Sequence, residues 1–183
     1  YATSESSTTI TNTYETIQIS GNKIWDDNNN QDGARPKTIR INLLANGEVT
    51  ETKEIGPDVD GNWNYSFTNL PKYKNGAEIV YTVTEDEVEN YTSKVEGYNI
   101  TNQHTPNKTS HSVEKVWVDS DNQDGIRPGS IKVVLLADGE VVTGSEETLN
   151  ESNSWKYTWT GLAEKKNGKK ICYTAKEVDD VSG

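Results

Sequence analysis

The sequence predicts an all-β protein of two related domains, each a β-sandwich or partly open barrel, joined by a short linker. Apolar and polar residues alternate with a period of two, and no stretch shows the period of an amphipathic helix. Turn signals such as Asn46-Gly47 and Asp138-Gly139 separate short apolar runs. Residues 23–86 align on 115–178 without a gap, and about 28 of these 64 positions are identical. The two copies are offset by 92 residues, which is the size of a whole domain and not of a solenoid unit.

The individual strands follow from the alternation and from the turns between them. In the first repeat the candidate strands are residues 17–26, 38–45, 49–55, 63–68, 78–85 and 98–103. Most of them recur 92 residues later, which gives the second domain the same order of elements. The stretch 105–109, which contains Pro106, is the short linker.

Composition narrows the possible functions of the 183-residue chain. Its net charge of −11 argues against nucleic-acid or membrane partners, because phosphate groups attract clustered Lys and Arg. Only 31% of residues are hydrophobic, so five Trp and nine Tyr supply much of the core. There is no nucleophile elbow, phosphate loop or His/Cys cluster. We therefore expect no enzyme, no cofactor and no membrane span.

The two ends of the chain do not match the repeat. The first repeat continues past Glu85 to the segment 98–102, whereas the second ends six residues after Glu177. The missing segment has its echo at the other end of the chain, where Ile-Thr-Asn at 10–12 matches 100–102. The sequence thus predicts a final strand in 1–16, a complete domain in 17–106 and a domain in 107–183 that lacks its last strand.

Three polar residues share inward faces with apolar neighbours in the complete domain. Lys23 lies on the face of Ile19 and Trp25, while Glu85 and Asn102 continue the apolar faces of their own strands. A buried Lys or Glu without a partner costs several kcal/mol, so we expect the three to meet. The second set of such residues is Lys115, Glu177 and Asn12.

The ordered motifs resemble the collagen-adhesin B-type repeat, known as Cna-B. They are Lys-x-Trp-x-Asp, Asn-Gln-Asp-Gly-x-Arg-Pro, Leu-Leu-Ala-x-Gly, Trp-x-Tyr, Tyr-Thr-x-x-Glu and Ile-Thr-Asn, and each of them occurs twice. The resemblance implies tandem immunoglobulin-like β-sandwiches in the stalk of a cell-wall-anchored, extracellular surface protein of a Gram-positive bacterium. It also implies an intramolecular isopeptide bond between a Lys of the first strand and an Asn of the last, promoted by a Glu.

Carried over to the complete domain, the resemblance implies a bond between Lys23 and Asn102, with Glu85 as promoter. Burial disfavours charged forms, which favours a neutral amine and a protonated acid. The alternative from the faces alone is a buried Lys–Glu ion pair with Asn as its hydrogen-bond partner.

In the incomplete domain the corresponding bond would join Lys115 to Asn12, with Glu177 as promoter. Asn12 is tethered at the start of the first domain, and a sandwich is roughly 40 Å long, so it cannot easily reach the second domain of its own chain. The expectation is that residues 1–16 of one molecule complete the next, head to tail.

Other interpretations remain open at the level of sequence. One is a module that binds a host-matrix ligand such as collagen, although the aromatic residues are predicted to face inward. Another is an engineered, phase-shifted polypeptide made to polymerise. Residues 26–33 resemble a calcium loop, but Ile39 stands where a bidentate Glu belongs, so we expect an Asx-rich turn and no metal.

Overall fold

The first domain is a sandwich of two sheets formed by the alternating strands. The computed structural model of the protein describes residues 2–6 and 9–178. The strands are β1 (Ala2–Ser6), β2 (Thr9–Thr13), β3 (Thr16–Asp26), β4 (Ile39–Ala45), β5 (Glu48–Ile55), β6 (Trp63–Pro71), β7 (Tyr73–Lys74), β8 (Ala77–Glu78), β9 (Tyr81–Glu85), β10 (Thr92–Glu96) and β11 (Asn99–Gln103). One sheet has the order β10-β11-β3-β6 and the other β5-β4-β9.

The core of this domain lies between those two sheets. Ile41, Leu43, Phe67 and Ile100 are fully buried there, and nine further hydrophobic residues join them. On the central strands β4 and β6 the buried residues largely alternate with more exposed ones.

The first and last strands of the domain lie side by side. β11 pairs with β3 in parallel, with Ile100 opposite Lys23 and Asn102 opposite Trp25. Their close approach depends on Gly21, because a Cβ there would stand 1.8 Å from the carbonyl oxygen of Tyr98. The glycine therefore allows the last strand to cover this part of β3.

The second domain repeats much of this arrangement. Its strands are β12 (Lys108–Glu114), β13 (Ser130–Ala137), β14 (Glu140–Val141), β15 (Glu147–Asn150), β16 (Lys156–Ala163), β17 (Lys165–Lys166), β18 (Lys169–Lys170) and β19 (Tyr173–Val178), with one 3₁₀ turn at Glu151–Asn153. β12 pairs with β16, and β13 pairs with β14, β15 and β19. Residues 1–30 and 34–105 form one compact unit, and residues 31–33 and 106–183 the other.

The gapless repeat is broken locally in the second domain. Ile39 lies opposite Ile55 in the first domain, so the constant offset would place Ile131 opposite Glu147. Instead Ile131 lies opposite Leu149, which is fully buried. The register has moved by two residues, because this brings an apolar side chain rather than a carboxylate into the core.

Two hairpins were not predicted from the sequence, and they have the same register. β1 pairs with β2 so that Thr3 lies opposite Asn12, and β10 pairs with β11 so that Ser93 lies opposite Asn102. Every pair in the first hairpin corresponds to a pair 90 residues later in the second. The segment 2–13 is thus the counterpart of 92–103.

Candidate functional site

Lys23 and Glu85 meet in the interior of the first domain. β3 carries Lys23 on one sheet and β9 carries Glu85 on the other, opposite Ile41 of β4. Lys23 Nζ lies 3.4 Å from Glu85 Oε1, and the two side chains are 0% and 1% exposed. The pair therefore spans the two layers of the sandwich in a region closed to solvent.

Asn102 lies on β11, the strand that pairs with the strand of Lys23. It is fully buried on β11, opposite Trp25 and therefore two residues further along than Lys23 on the same face of the sheet. Neither its Oδ1 nor its Nδ2 has a hydrogen-bond partner in the described part of the chain. Burying an amide without hydrogen bonds costs free energy, so packing alone does not explain why an Asn stands at this position.

The surroundings of Lys23 favour its neutral form. Burial lowers the pKa of Lys23 from 10.5 to about 8, although the nearby Glu85 carboxylate opposes the change. The Nζ atom lies 4.2 Å from the centre of the Trp25 ring. Burial, followed by the charge of Glu85, also raises the pKa of Tyr65 to about 12. At moderately alkaline pH much of Lys23 is therefore neutral, and a neutral Lys amine is a nucleophile.

The corresponding pair of the second domain is open to solvent. Lys115 Nζ lies 2.8 Å from Glu177 Oε2, but the two side chains are 26% and 42% exposed. β12 ends at Glu114, and neighbouring Val116 and Val118 are 69% and 97% exposed. In the described residues of this domain, no strand lies where β11 lies in the first domain.

The third predicted residue of the second site, Asn12, is only partly described. Its backbone belongs to β2, opposite Thr3, while its side chain lies outside the described residues. The predicted Lys115–Asn12 link therefore stays a prediction, as do the boundaries 1–16, 17–106 and 107–183.

A second buried cluster in the first domain was missed by the sequence analysis. Asp27 accepts two hydrogen bonds from Arg35, at 3.0 and 2.7 Å, and one of 2.9 Å from the hydroxyl of Tyr91. Burial acts to raise the pKa of Asp27, but these hydrogen bonds and that of the Asn30 amide outweigh it and lower the pKa. The available signal was the repeated Asn-Gln-Asp-Gly-x-Arg-Pro motif with an Asp three residues before it, a stretch that we interpreted as an Asx-rich turn.

Two negative findings apply to residues 2–6 and 9–178. No group of three His, Cys, Asp or Glu side chains there could hold a metal ion. No helix in the same residues is long and apolar enough to cross a membrane.

Each of the two sandwiches carries a Lys–Glu pair at the corresponding position, so the chain is a tandem repeat of one kind of β-sandwich domain. The sequence model of the Cna protein B-type domain matches residues 19–103 and 111–183, and the chain belongs to this family. The predicted fold class, tandem immunoglobulin-like β-sandwiches, is confirmed. The family is not a catalytic one.

The chain is similar to an adhesin of Staphylococcus aureus and to solved repeat units of its collagen-binding protein. A collagen adhesin of Staphylococcus aureus is 50% identical over 186 residues, which cover 100% of this chain but 16% of the adhesin. The crystal structure of a single B repeat unit of the S. aureus collagen-binding surface protein is 50% identical, with a TM-score of 0.47, over 92% of this chain and 89% of that one. A structure of two B repeat units is 49% identical, with a TM-score of 0.50, over 95% of this chain and 46% of that one.

Proposed function

We propose that the chain is a stalk module of a bacterial cell-surface adhesin whose first domain closes itself with an isopeptide bond between Lys23 and Asn102. The observation that carries the proposal is the convergence of a buried amine, a buried carboxyl group and a buried amide without hydrogen-bond partners. The similarity to the S. aureus surface protein supports the location at the cell surface.

The reaction requires only these three side chains. The lone pair of neutral Lys23 Nζ attacks Cγ of Asn102, and the Cγ–Nδ2 bond breaks as the new C–N bond forms. Glu85 relays the proton lost by Nζ to the departing Nδ2, which leaves as ammonia. Folding pairs the two strands that carry the amine and the amide, and holding two reactants together gives an effective-molarity gain of up to roughly 7–11 kcal/mol. The reaction happens once in each molecule.

Intact mass of the denatured protein tests this proposal directly. The wild-type chain should be lighter than its sequence by one ammonia, and Glu85→Ala should restore the full mass. Glu87→Ala, which removes an exposed carboxylate two residues away, is the matched control and should keep the lower mass. A wild-type chain with its full sequence mass contradicts the bond.

We propose in addition that the hairpin of residues 2–13 completes the second domain of another copy, head to tail. Two observations favour this function. The hairpin has the same register as β10–β11, which covers β3 in the first domain. The edge of β12 that such a hairpin would cover is open, and it leaves Lys115 and Glu177 exposed.

Docking in the second domain must differ at one point from the arrangement in the first. Val113 occupies the position that Gly21 has in β3, opposite Tyr157 where Gly21 lies opposite Tyr65. The turn of an incoming hairpin therefore has to stand further from β12 than Tyr98 does from β3.

Denaturing gels test the covalent form of this association. If Lys115 attacks Asn12 of the docked hairpin with the aid of Glu177, the protein forms a ladder of multimers that resists boiling and reductant. Lys115→Ala should abolish the ladder, whereas Lys132→Ala, on strand β13 of the other sheet, should leave it intact. A strictly monomeric protein at high concentration contradicts both the covalent and the non-covalent form.

A further inference from the structure

The second domain contains a polar site whose counterpart in the first domain is occupied. Arg127 donates hydrogen bonds of 2.9 and 2.6 Å to the two oxygens of Asp119, which match the Arg35–Asp27 bonds closely. Arg127 also lies 5.6 Å from the ring centre of Trp117, as Arg35 lies 5.4 Å from that of Trp25. We call Asp119, Arg127 and Trp117 the Asp119 socket.

In the first domain a tyrosine completes this arrangement. The ring of Tyr91 packs edge-on against Trp25 with centroids 4.9 Å apart, while its hydroxyl donates a hydrogen bond to Asp27 Oδ2. With this cover the side chain of Asp27 is 0% exposed, whereas that of Asp119 is 31% exposed. Burial first, and then the bond to Asp27, raises the pKa of Tyr91 well above its usual range.

The sequence supplies the matching tyrosine at the same spacing. Tyr91 directly precedes β10 and stands 11 residues before Asn102; Tyr1 directly precedes β1 and stands 11 residues before Asn12. The two hairpins also share their register. A hairpin of residues 2–13 that docks on β12 in the way that β10–β11 docks on β3 therefore brings Tyr1 to the Asp119 socket.

We propose that the Asp119 socket binds the side chain of Tyr1 from a second copy of this chain. The tyrosine hydroxyl donates to Asp119, and its ring packs edge-on against Trp117. This inference rests on the proposed head-to-tail association, and it adds a non-covalent contact that positions the hairpin before any bond to Lys115 forms. The partner is thus selected by Tyr1 as well as by its hairpin.

The test measures binding of a labelled peptide of residues 1–16 to the full-length Lys115→Ala protein, which cannot capture the peptide covalently. Fluorescence anisotropy of a label at the peptide's C-terminal end reports the dissociation constant. A hydrogen bond to a charged group makes the Tyr1→Phe peptide roughly ten- to hundredfold weaker than the parent. Tyr14→Phe, which removes the other tyrosine hydroxyl of the same peptide, should bind like the parent.

A second protein variant links the effect to the socket. On the Lys115→Ala protein with Asp119→Asn added, the loss caused by Tyr1→Phe should shrink to a few-fold at most, since the hydroxyl has lost its charged acceptor. Equal binding of the parent and Tyr1→Phe peptides to the first protein overturns the socket while head-to-tail docking stands. An undiminished loss on the Asp119→Asn protein overturns it too. If no peptide binds, head-to-tail association itself fails.

Discussion

Replacing Glu85 with Gln is the sharpest perturbation of the first domain. The substitution keeps the shape of a side chain that is 1% exposed and lies 3.4 Å from Lys23 Nζ, but an amide cannot relay a proton. Lys23 and Asn102 then stay unlinked, and the denatured variant should be heavier than the wild type by the mass of one ammonia, apart from the small change of the substitution itself.

The stability lost with the bond can be worked out from the loop that it closes. Residues 23 and 102 bound a loop of about 80 residues, and a cross-link of that span is worth about 4.5 kcal/mol through the entropy of the unfolded chain. For a domain of this size the melting temperature should fall by roughly 20–35 °C.

Scanning calorimetry with intact mass on the same samples provides the assay. The control is Glu87→Gln, which alters an exposed carboxylate on the same segment and should change neither quantity. The reasoning is refuted if Glu85→Gln is still lighter than its sequence by one ammonia. It is refuted equally if the variant is unlinked but melts within a few degrees of the wild type.

Three further predictions concern β3 and β11 of the first domain and β12 of the second. In Asn102→Ala the amine of Lys23 stays free. Burial lowers its pKa from 10.5 to about 8 in the folded state, so between these pH values the unfolded state binds more protons than the folded one. The variant's free energy of unfolding, measured by urea denaturation, should therefore rise by up to roughly 3 kcal/mol from pH 8 to pH 10.5, a rise that the linked wild type lacks. Gly21→Ala puts a Cβ 1.8 Å from the Tyr98 carbonyl oxygen, and should cost at least about 3 kcal/mol in chemical denaturation and leave the chain at its full mass. Val113→Gly gives an incoming hairpin the room that β3 provides, so multimers should appear faster on denaturing gels; unchanged kinetics would contradict docking in that geometry.

Side-chain alternation predicted the architecture well because most strands have one buried and one exposed face. The predicted strand 17–26 is Thr16–Asp26 in the structure, and the predicted 98–103 is Asn99–Gln103. The same alternation put Lys23 on an inward face, where the structure places it beside Glu85. A charged residue within an apolar face is a strong signal, since burial without a partner is costly.

What the sequence analysis missed lacks that signal. All five residues of β10 are exposed, so the strand shows no alternation from which its pairing with β11 could be predicted. The Asp27 cluster joins a loop to Tyr91, which lies 64 residues away and carries no local mark of that contact. The shifted register of β15 follows from competition between Glu147 and Leu149 for one buried position, which a gapless alignment cannot represent.

The parallel pairing of β3 with β11 determines how the first domain responds to tension. The chain enters at the start of β3 and leaves at the end of β11, which in a parallel pair are opposite ends. Pulling on both sides of the domain therefore shears all the hydrogen bonds between these strands together, instead of unzipping them one after another. A covalent link from Lys23 to Asn102 would cross that shear plane, and the chain between the two residues would then carry none of the load.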